Sequence, residues 1–233
     1  MFHKLSNILH DITSVLLPRL CFGCNTLLIR GEEHVCTVCR NQLPLTEYNF
    51  NVENPVDRIF YGRILIVKAS ALLFYTDKGI VKNLIHYLKY KNQEQIGYFL
   101  GQWYGHILKN NNYLKNIDYV IPVPIHPKKR RRRGYNQVTL FAKSVATHLN
   151  AKFSEDILTK TANTRTQTKK TRLLRWQNKK ALYMLTNNEL LKDKNVLLLD
   201  DVITTGATME ACATALSNTP GIKLYIASMA IVP

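Results

Sequence analysis

The 233-residue sequence predicts an α/β fold: a mostly parallel sheet flanked by helices, with a small cysteine-bearing module at the N-terminus. Three observations carry that prediction. Apolar runs of strand length alternate with helix-period segments from residue 64 onward. The buried-strand signal Val196–Leu199 ends on Asp200 and Asp201, and a threonine-rich turn leads directly into another helical pattern. Four of the five cysteines fall within residues 21–39 as two Cys-x-x-Cys pairs.

At the front, Leu5, Ile8, Leu9, Ile12 and Leu16 follow helical spacing, so a short amphipathic helix is expected. His10 and Asp11 interrupt it too early for a signal peptide. Cys21, Cys24, Cys36 and Cys39 bring four thiolates to where they can surround one tetrahedral Zn2+, and Gly23 and Gly31 supply permissive backbone for the turns. Two disulfides are the competing reading, which a cytoplasmic protein rarely keeps. Four thiolates close the coordination shell, so this zinc reads as structural rather than catalytic. The expected organisation is residues 1–45 for the helix and zinc module, 46–63 for a linker rich in Asn and Pro, and 64–233 for the main domain.

In the main domain, ILIVKASALLFY predicts one or two strands, followed by a helix over Ile80–Leu88 that Asp77 is placed to cap. The next helix carries Ile96, Phe99, Leu100, Trp103, Ile107 and Leu108 on one side. Gly97, Gly101 and Gly105 share another face, which predicts close packing against a neighbour. A strand Asp118–Ile121 stops at Pro122-Val-Pro124, and a basic loop, Lys128 to Arg133, leads to Gly134 and a helix over 136–149. A strand over 156–160, helix 171–182, strand 195–200, helix 207–218 and strand 222–231 complete the chain. Cys212 reads as a small core residue, and His86 and His106 as structural.

Charge is distributed unevenly. The chain carries +16 overall, while residues 128–180 hold 16 Lys and Arg against Glu155 and Asp156, a net +14. A solvated surface is the bland reading, but the concentration points to a large anionic ligand. No stretch approaches the roughly 20 apolar residues of a membrane-spanning helix, so a cytoplasmic location is expected.

The turn after Asp201 carries the most chemistry. At a helix start the amides of Thr204, Thr205, Gly206, Ala207 and Thr208 lack intrahelical partners and can hold an anion. Asp200 and Asp201 suit sugar hydroxyls, directly or through Mg2+. No glycine is followed by lysine and no Gly-x-Gly-x-x-Gly occurs, so a P-loop and the ordinary dinucleotide fingerprint are both excluded.

VLLLDDVITTGAT resembles the phosphoribosyl-pyrophosphate motif of type I phosphoribosyltransferases. That resemblance implies ribose binding by Asp200 and Asp201 and 5′-phosphate binding by residues 204–208. It also implies a pyrophosphate loop near Pro122–His126, and His126 follows the Pro-Val-Pro element as a residue worth testing. Two cysteine pairs, IPVPIHPKKRRRRGYNQ, Gln167 with Arg175-Trp-Gln-Asn178, and the aspartate turn together resemble the competence-type ComF family over nearly the whole chain. Arg165 departs from that pattern, where a proline is common. The ComF resemblance implies a role in DNA uptake or processing, with phosphoribosyl pyrophosphate or a nucleotide and single-stranded DNA as ligands, and a DNA channel or helicase as a protein partner.

Two function classes follow. A nucleic-acid-handling protein would use Lys128, Lys129, Arg130, Arg131, Arg132 and Arg133 on polyanion phosphates, with Tyr135 and Trp176 either stacking on bases or packing internally. An active phosphoribosyltransferase would use Arg133 and Arg175 on the departing pyrophosphate, transferring phosphoribose to an acceptor that no residue here identifies.

Overall fold

A computed structural model describes residues 18–161 and 182–233. The expected N-terminal helix, nearly all of the helix expected over 171–182, and Arg165, Gln167, Arg175 and Trp176 lie outside the described residues. In chain order the principal elements are α1 (Thr37–Asn41), α2 (Pro55–Phe60), β1 (Lys68–Phe74), α3 (Ile80–Tyr90), α4 (Gln95–Lys109), β2 (Tyr119–Pro122), α5 (Pro127–Arg133), α6 (Thr139–Leu149), β3 (Lys152–Phe153), β4 (Leu158–Lys160), β5 (Tyr183–Leu185), β6 (Asn195–Ile203), α7 (Ala207–Leu216) and β7 (Lys223–Ile231).

Strands buried on both faces read as continuous apolar runs, and β6 and β7 sit near the middle of the sheet for that reason. The order is β1-β7-β6-β2-β3, every pairing parallel, as the alternating pattern predicts. From β2 the chain steps outward through α6 to β3; from β6 it steps the opposite way through α7 to β7. Right-handed crossovers in opposite directions put their helices on opposite faces and leave a crevice between β2 and β6. Alternate residues of β6 confirm the two layers. Leu197 and Leu199 join the core with α3, α4 and α6, while Val196 and Leu198 join the core with α2, α7 and the β4–β5 pair.

The three glycines of α4 explain how closely α6 approaches. A Cβ on Gly101 would stand 2.7 Å from the Phe141 carbonyl, and one on Gly105 would stand 2.5 Å from the His148 ring. Backbone contact of this kind fixes α6 and the residues just before it.

Three local expectations are corrected. The segment 46–63, read as a linker, contains α2, and Phe50, Val56 and Phe60 are fully buried. Pro55 there is a first-turn helix residue, and Asn54 and Asp57 form a capping box, so the polar residues mark a helix start. The basic loop is itself a helix, α5, opened by Pro127 and closed by Gly134 in the left-handed region. Asp77 does not cap α3; Gly79 occupies the N-cap without a side-chain bond. His86 and His106 are exposed, with the His86 ring 5.3 Å from that of Tyr90 and the His106 ring 6.4 Å from that of His148.

Candidate functional site

The four cysteines converge at the front as their spacing predicts. Their sulfurs all lie within 4.8 Å of one another, and Cys24 and Cys36 are 3.7 Å apart. A tetrahedral zinc with Zn–S bonds of about 2.3 Å requires sulfur separations of roughly 3.8 Å, so the cluster fits that ion. Main-chain N–H groups of Gly23 and Cys36 donate to the Cys21 sulfur at 3.3 Å, and that of Cys39 donates to Cys36, an arrangement that favours thiolates. Hydrogen bonds from Thr26 lower the Cys24 thiol to about 6, while burial pushes Cys39 up. Cys21, Cys24, Cys36 and Cys39 could therefore hold zinc, which would supply a structural cross-link.

The knuckle is seated on α3. Asn83 Nδ2 donates to the Gly23 carbonyl at 2.7 Å, and the Tyr87 hydroxyl donates to Asn25 Oδ1 at 2.8 Å. A Cβ on Gly23 would lie 2.9 Å from both Cys39 Sγ and Ile80 Cγ2, so only glycine lets the turn reach the helix. The C-terminal end of the same helix carries Lys89, which enters the second site.

That second site lies at the end of β6. Pairing with β2 ends at Leu199 opposite Pro122, whereas pairing with β7 continues to Ile203. Beyond Leu199, β6 therefore borders an open notch on its β2 side, and Asp200 and Asp201 lie at its edge. Because successive residues face opposite sides, the two acids meet different neighbours. Asp201 Oδ1 is 2.8 Å from Lys89 Nζ, and Gln137 Nε2 donates to Oδ2 at 2.7 Å. Asp200 accepts the Asp201 N–H at 2.8 Å and lies in the field of Lys160, which donates to the Tyr183 hydroxyl.

Burial, reinforced by the neighbouring Asp201 charge, raises Asp200 to about 8. Folded Asp200 then keeps its proton up to that pH, whereas the unfolded carboxyl loses it near 4. Unfolding releases a proton between those values, so this group makes stability fall as pH rises from about 4 to 8. Asp200→Asn is expected to flatten that fall and to stabilise the protein by about 1–2 kcal/mol at pH 8. Urea denaturation at pH 5 and pH 8 checks it; identical pH slopes in both proteins would refute the assignment.

Thr204, Thr205, Ala207 and Thr208 are exposed around a pocket of about 50 Å³ that Asp200 also lines. Pockets that enclose whole drug-sized ligands run to several hundred Å³, so this one suits a single anionic group. Helix α7 starts at Gly206 without a side-chain cap, which leaves first-turn amides for a ligand. Gly206 itself has a different task from the one its position suggests. Its φ is +73°, and a Cβ would meet Ile59 at 2.7 Å and Phe60 at 2.9 Å, so the glycine packs the turn onto α2. Arg63 completes that clamp: its guanidinium donates to the carbonyls of Thr205 and Ile59 at 2.8 and 2.9 Å and pairs with Glu210.

Across the notch, the basic helix contributes selectively. Arg133 Nη1 donates to Gln137 Oε1 at 2.7 Å, and its guanidinium lies 5.4 Å from the Tyr90 ring centroid. Its buried Nε has no partner among the described residues. Arg130 pairs with Glu155, whereas Lys128, Arg131 and Arg132 are exposed and Lys129 is partly so. His126 accepts the Lys128 N–H and caps α5. Tyr135 is the packing alternative: its hydroxyl bonds to the Leu88 carbonyl. Lys89, Gln137, Arg63 and Lys160 were not singled out from sequence. Gln137 stood within the RRRRGYNQ motif without a role, and nothing local marks the other three.

The arrangement does not fit Mg2+ on the acid pair. Three carboxylate oxygens already accept N–H donors, one of them from an ammonium, where the ion would need near-octahedral oxygen ligands at about 2.0–2.1 Å.

Residues 139–226 match the phosphoribosyl transferase domain family. The chain is 26% identical over 213 residues to the DNA utilization protein YhgH of Escherichia coli O6:H1, spanning 84% of this chain and 90% of that protein. Competence protein ComFC of Bacillus subtilis is 23% identical over 199 residues, 85% of this chain and 78% of its own length. Competence protein F of Haemophilus influenzae is 33% identical over 102 residues, covering 43% and 44% of the two chains. The chain is similar to ComF-type competence and DNA-utilization proteins over most of its length. This chain thus joins a phosphoribosyltransferase-like sheet to a four-cysteine knuckle, and no helix among its described residues is long and apolar enough to cross a membrane.

Proposed function

We propose that this ComF-like chain binds phosphoribosyl pyrophosphate, or a related nucleotide, at the carboxyl end of β6. In the same reading it binds single-stranded DNA across α5 and acts in cytoplasmic DNA uptake or processing, alongside a channel or helicase. One observation carries the proposal. The acid pair, the uncapped threonine turn and Arg133 border one notch, while Lys128, Arg131 and Arg132 face solvent beside it. A ribose phosphate accounts for the first three, and a longer polyanion accounts for the exposed remainder. The relatives named for DNA utilization and competence support a role in DNA handling.

Titration with labelled phosphoribosyl pyrophosphate and with a labelled oligonucleotide at several salt concentrations tests both halves. Asp200→Ala with Asp201→Ala is expected to weaken phosphoribosyl-pyrophosphate binding at least tenfold and to leave DNA binding in place. Replacing Lys128, Arg131 and Arg132 by alanine is expected to make the salt dependence shallower by about 0.7 per lost phosphate contact on a single strand. Wild-type protein that fails to bind phosphoribosyl pyrophosphate, or DNA binding that is insensitive to salt, would sink the corresponding half. Active transfer is a second reading, favoured by the Arg133 guanidinium, which could meet a departing pyrophosphate and whose Nε has no partner among the described residues. Pyrophosphate release with a panel of bases would establish it.

A further inference from the structure

We propose that Lys89 takes the place of a divalent cation at the acid pair, so that the site binds a metal-free ribose phosphate. The inference rests on the ribose-phosphate reading above and narrows it. Lys89 Nζ lies 2.8 Å from Asp201 Oδ1, and Asp201 is its one ion-pair partner among the described residues. Both side chains are largely withdrawn from water, at 22% and 7% exposure, so this is not a loose surface pair. The second oxygen of Asp201 is occupied by Gln137, which Arg133 holds from behind.

A lysine ammonium is a compact point charge with three donors. One donor meets Asp201, and the others remain for a ligand oxygen entering the notch. A metal ion approaching Asp201 would meet this ammonium at one oxygen and the Gln137 amide at the other. Like charges at that distance oppose each other, and Mg2+ gives up its waters reluctantly. The ammonium is also delivered from a restrained backbone. Leu84 and Leu88 of α3 are fully buried, Tyr135 bonds the Leu88 carbonyl, and the cysteine knuckle is fastened to Asn83 and Tyr87. Lys89 therefore neutralises Asp201 and orients its free carboxylate lone pairs toward a sugar hydroxyl, the two tasks a metal would otherwise perform.

Calorimetric titration of the zinc-loaded full chain with ribose 5-phosphate, in buffers with and without millimolar Mg2+, tests this. Chelators are omitted because they would strip the cysteine cluster. The wild-type Kd is expected to change by less than about twofold between the two buffers. Lys89→Met is expected to weaken binding about tenfold without Mg2+, the usual scale for losing one charge-assisted hydrogen bond, while Lys89→Arg retains most of the affinity. Wild-type binding that needs Mg2+, or tightens tenfold with it, would overturn the role of Lys89 and leave the ribose-phosphate pocket standing. Lys89→Met that binds like wild type would overturn it equally. No binding in either buffer would overturn the pocket itself. Should Lys89→Met fail to fold, the wild-type comparison between buffers decides alone.

Discussion

Gly206→Ala is expected to destabilise the protein by about 3 kcal/mol and to abolish ribose-phosphate binding. Two costs combine at this position. A non-glycine residue held at φ +73° costs about 1–2 kcal/mol. The new Cβ would also press within 2.7 Å of Ile59 and 2.9 Å of Phe60, and overpacking of that kind costs about 1–3 kcal/mol. Ile59 and Phe60 belong to a capped helix packed into the second core, so neither can retreat without opening that core. Gly134 provides the comparison. It also has positive φ, at +83°, but a Cβ there would meet nothing within 4 Å. Gly134→Ala should therefore show the backbone cost alone, near 1 kcal/mol. Thermal denaturation separates the two: about 10 °C lost for Gly206→Ala against a few degrees for Gly134→Ala. Equal losses would show that contact with α2 contributes nothing.

Loss of metal from the cysteine knuckle is expected to have the second large effect. The segment from residue 20 to residue 41 contains one five-residue helix, and apart from its cysteines it buries few of its apolar side chains, too little burial to hold itself together. Zinc binding to four thiolates supplies folding free energy directly, on the order of 10 kcal/mol in small zinc-finger peptides. The purified chain is expected to carry about one zinc, and Cys36→Ser or chelation to release it. Hydrogen exchange should then rise across residues 20–43 and along α3, where Asn83 and Tyr87 hold Gly23 and Asn25, while β6 and β7 stay protected. Unchanged exchange at α3 after zinc loss would separate the knuckle from the helix that presents Lys89.

The sequence made the backbone of both sites legible and left most of their side-chain partners unread. Two Cys-x-x-Cys pairs fix four ligands through short-range spacing, and the structure brings those sulfurs together. An apolar run ending on two acids, then threonines and a glycine, specifies strand, turn and helix start within thirteen consecutive residues. The glycine face of α4 likewise announces a close neighbour, because a missing Cβ has only a few uses. Errors arose where one residue type serves two ends. Asn and Pro mark linkers and helix starts alike, which hid α2, and a run of arginines has good helix propensity beneath its charge, which hid α5.

What the sequence by itself determined is the local chemistry: a threonine-rich turn at a helix start, an acid pair beside it, a four-cysteine knuckle and a concentrated positive charge. Tertiary structure decided which groups complete them. Lys89 lies 112 positions before Asp201, Gln137 lies 64 before it, and Arg63 lies 142 before Thr205. No periodicity links residues that far apart, and a lone lysine at the edge of a helical stripe looks like any solvated lysine. Crossovers on opposite faces of the sheet bring these side chains to the same notch, because parallel strands deliver their carboxyl ends to one edge.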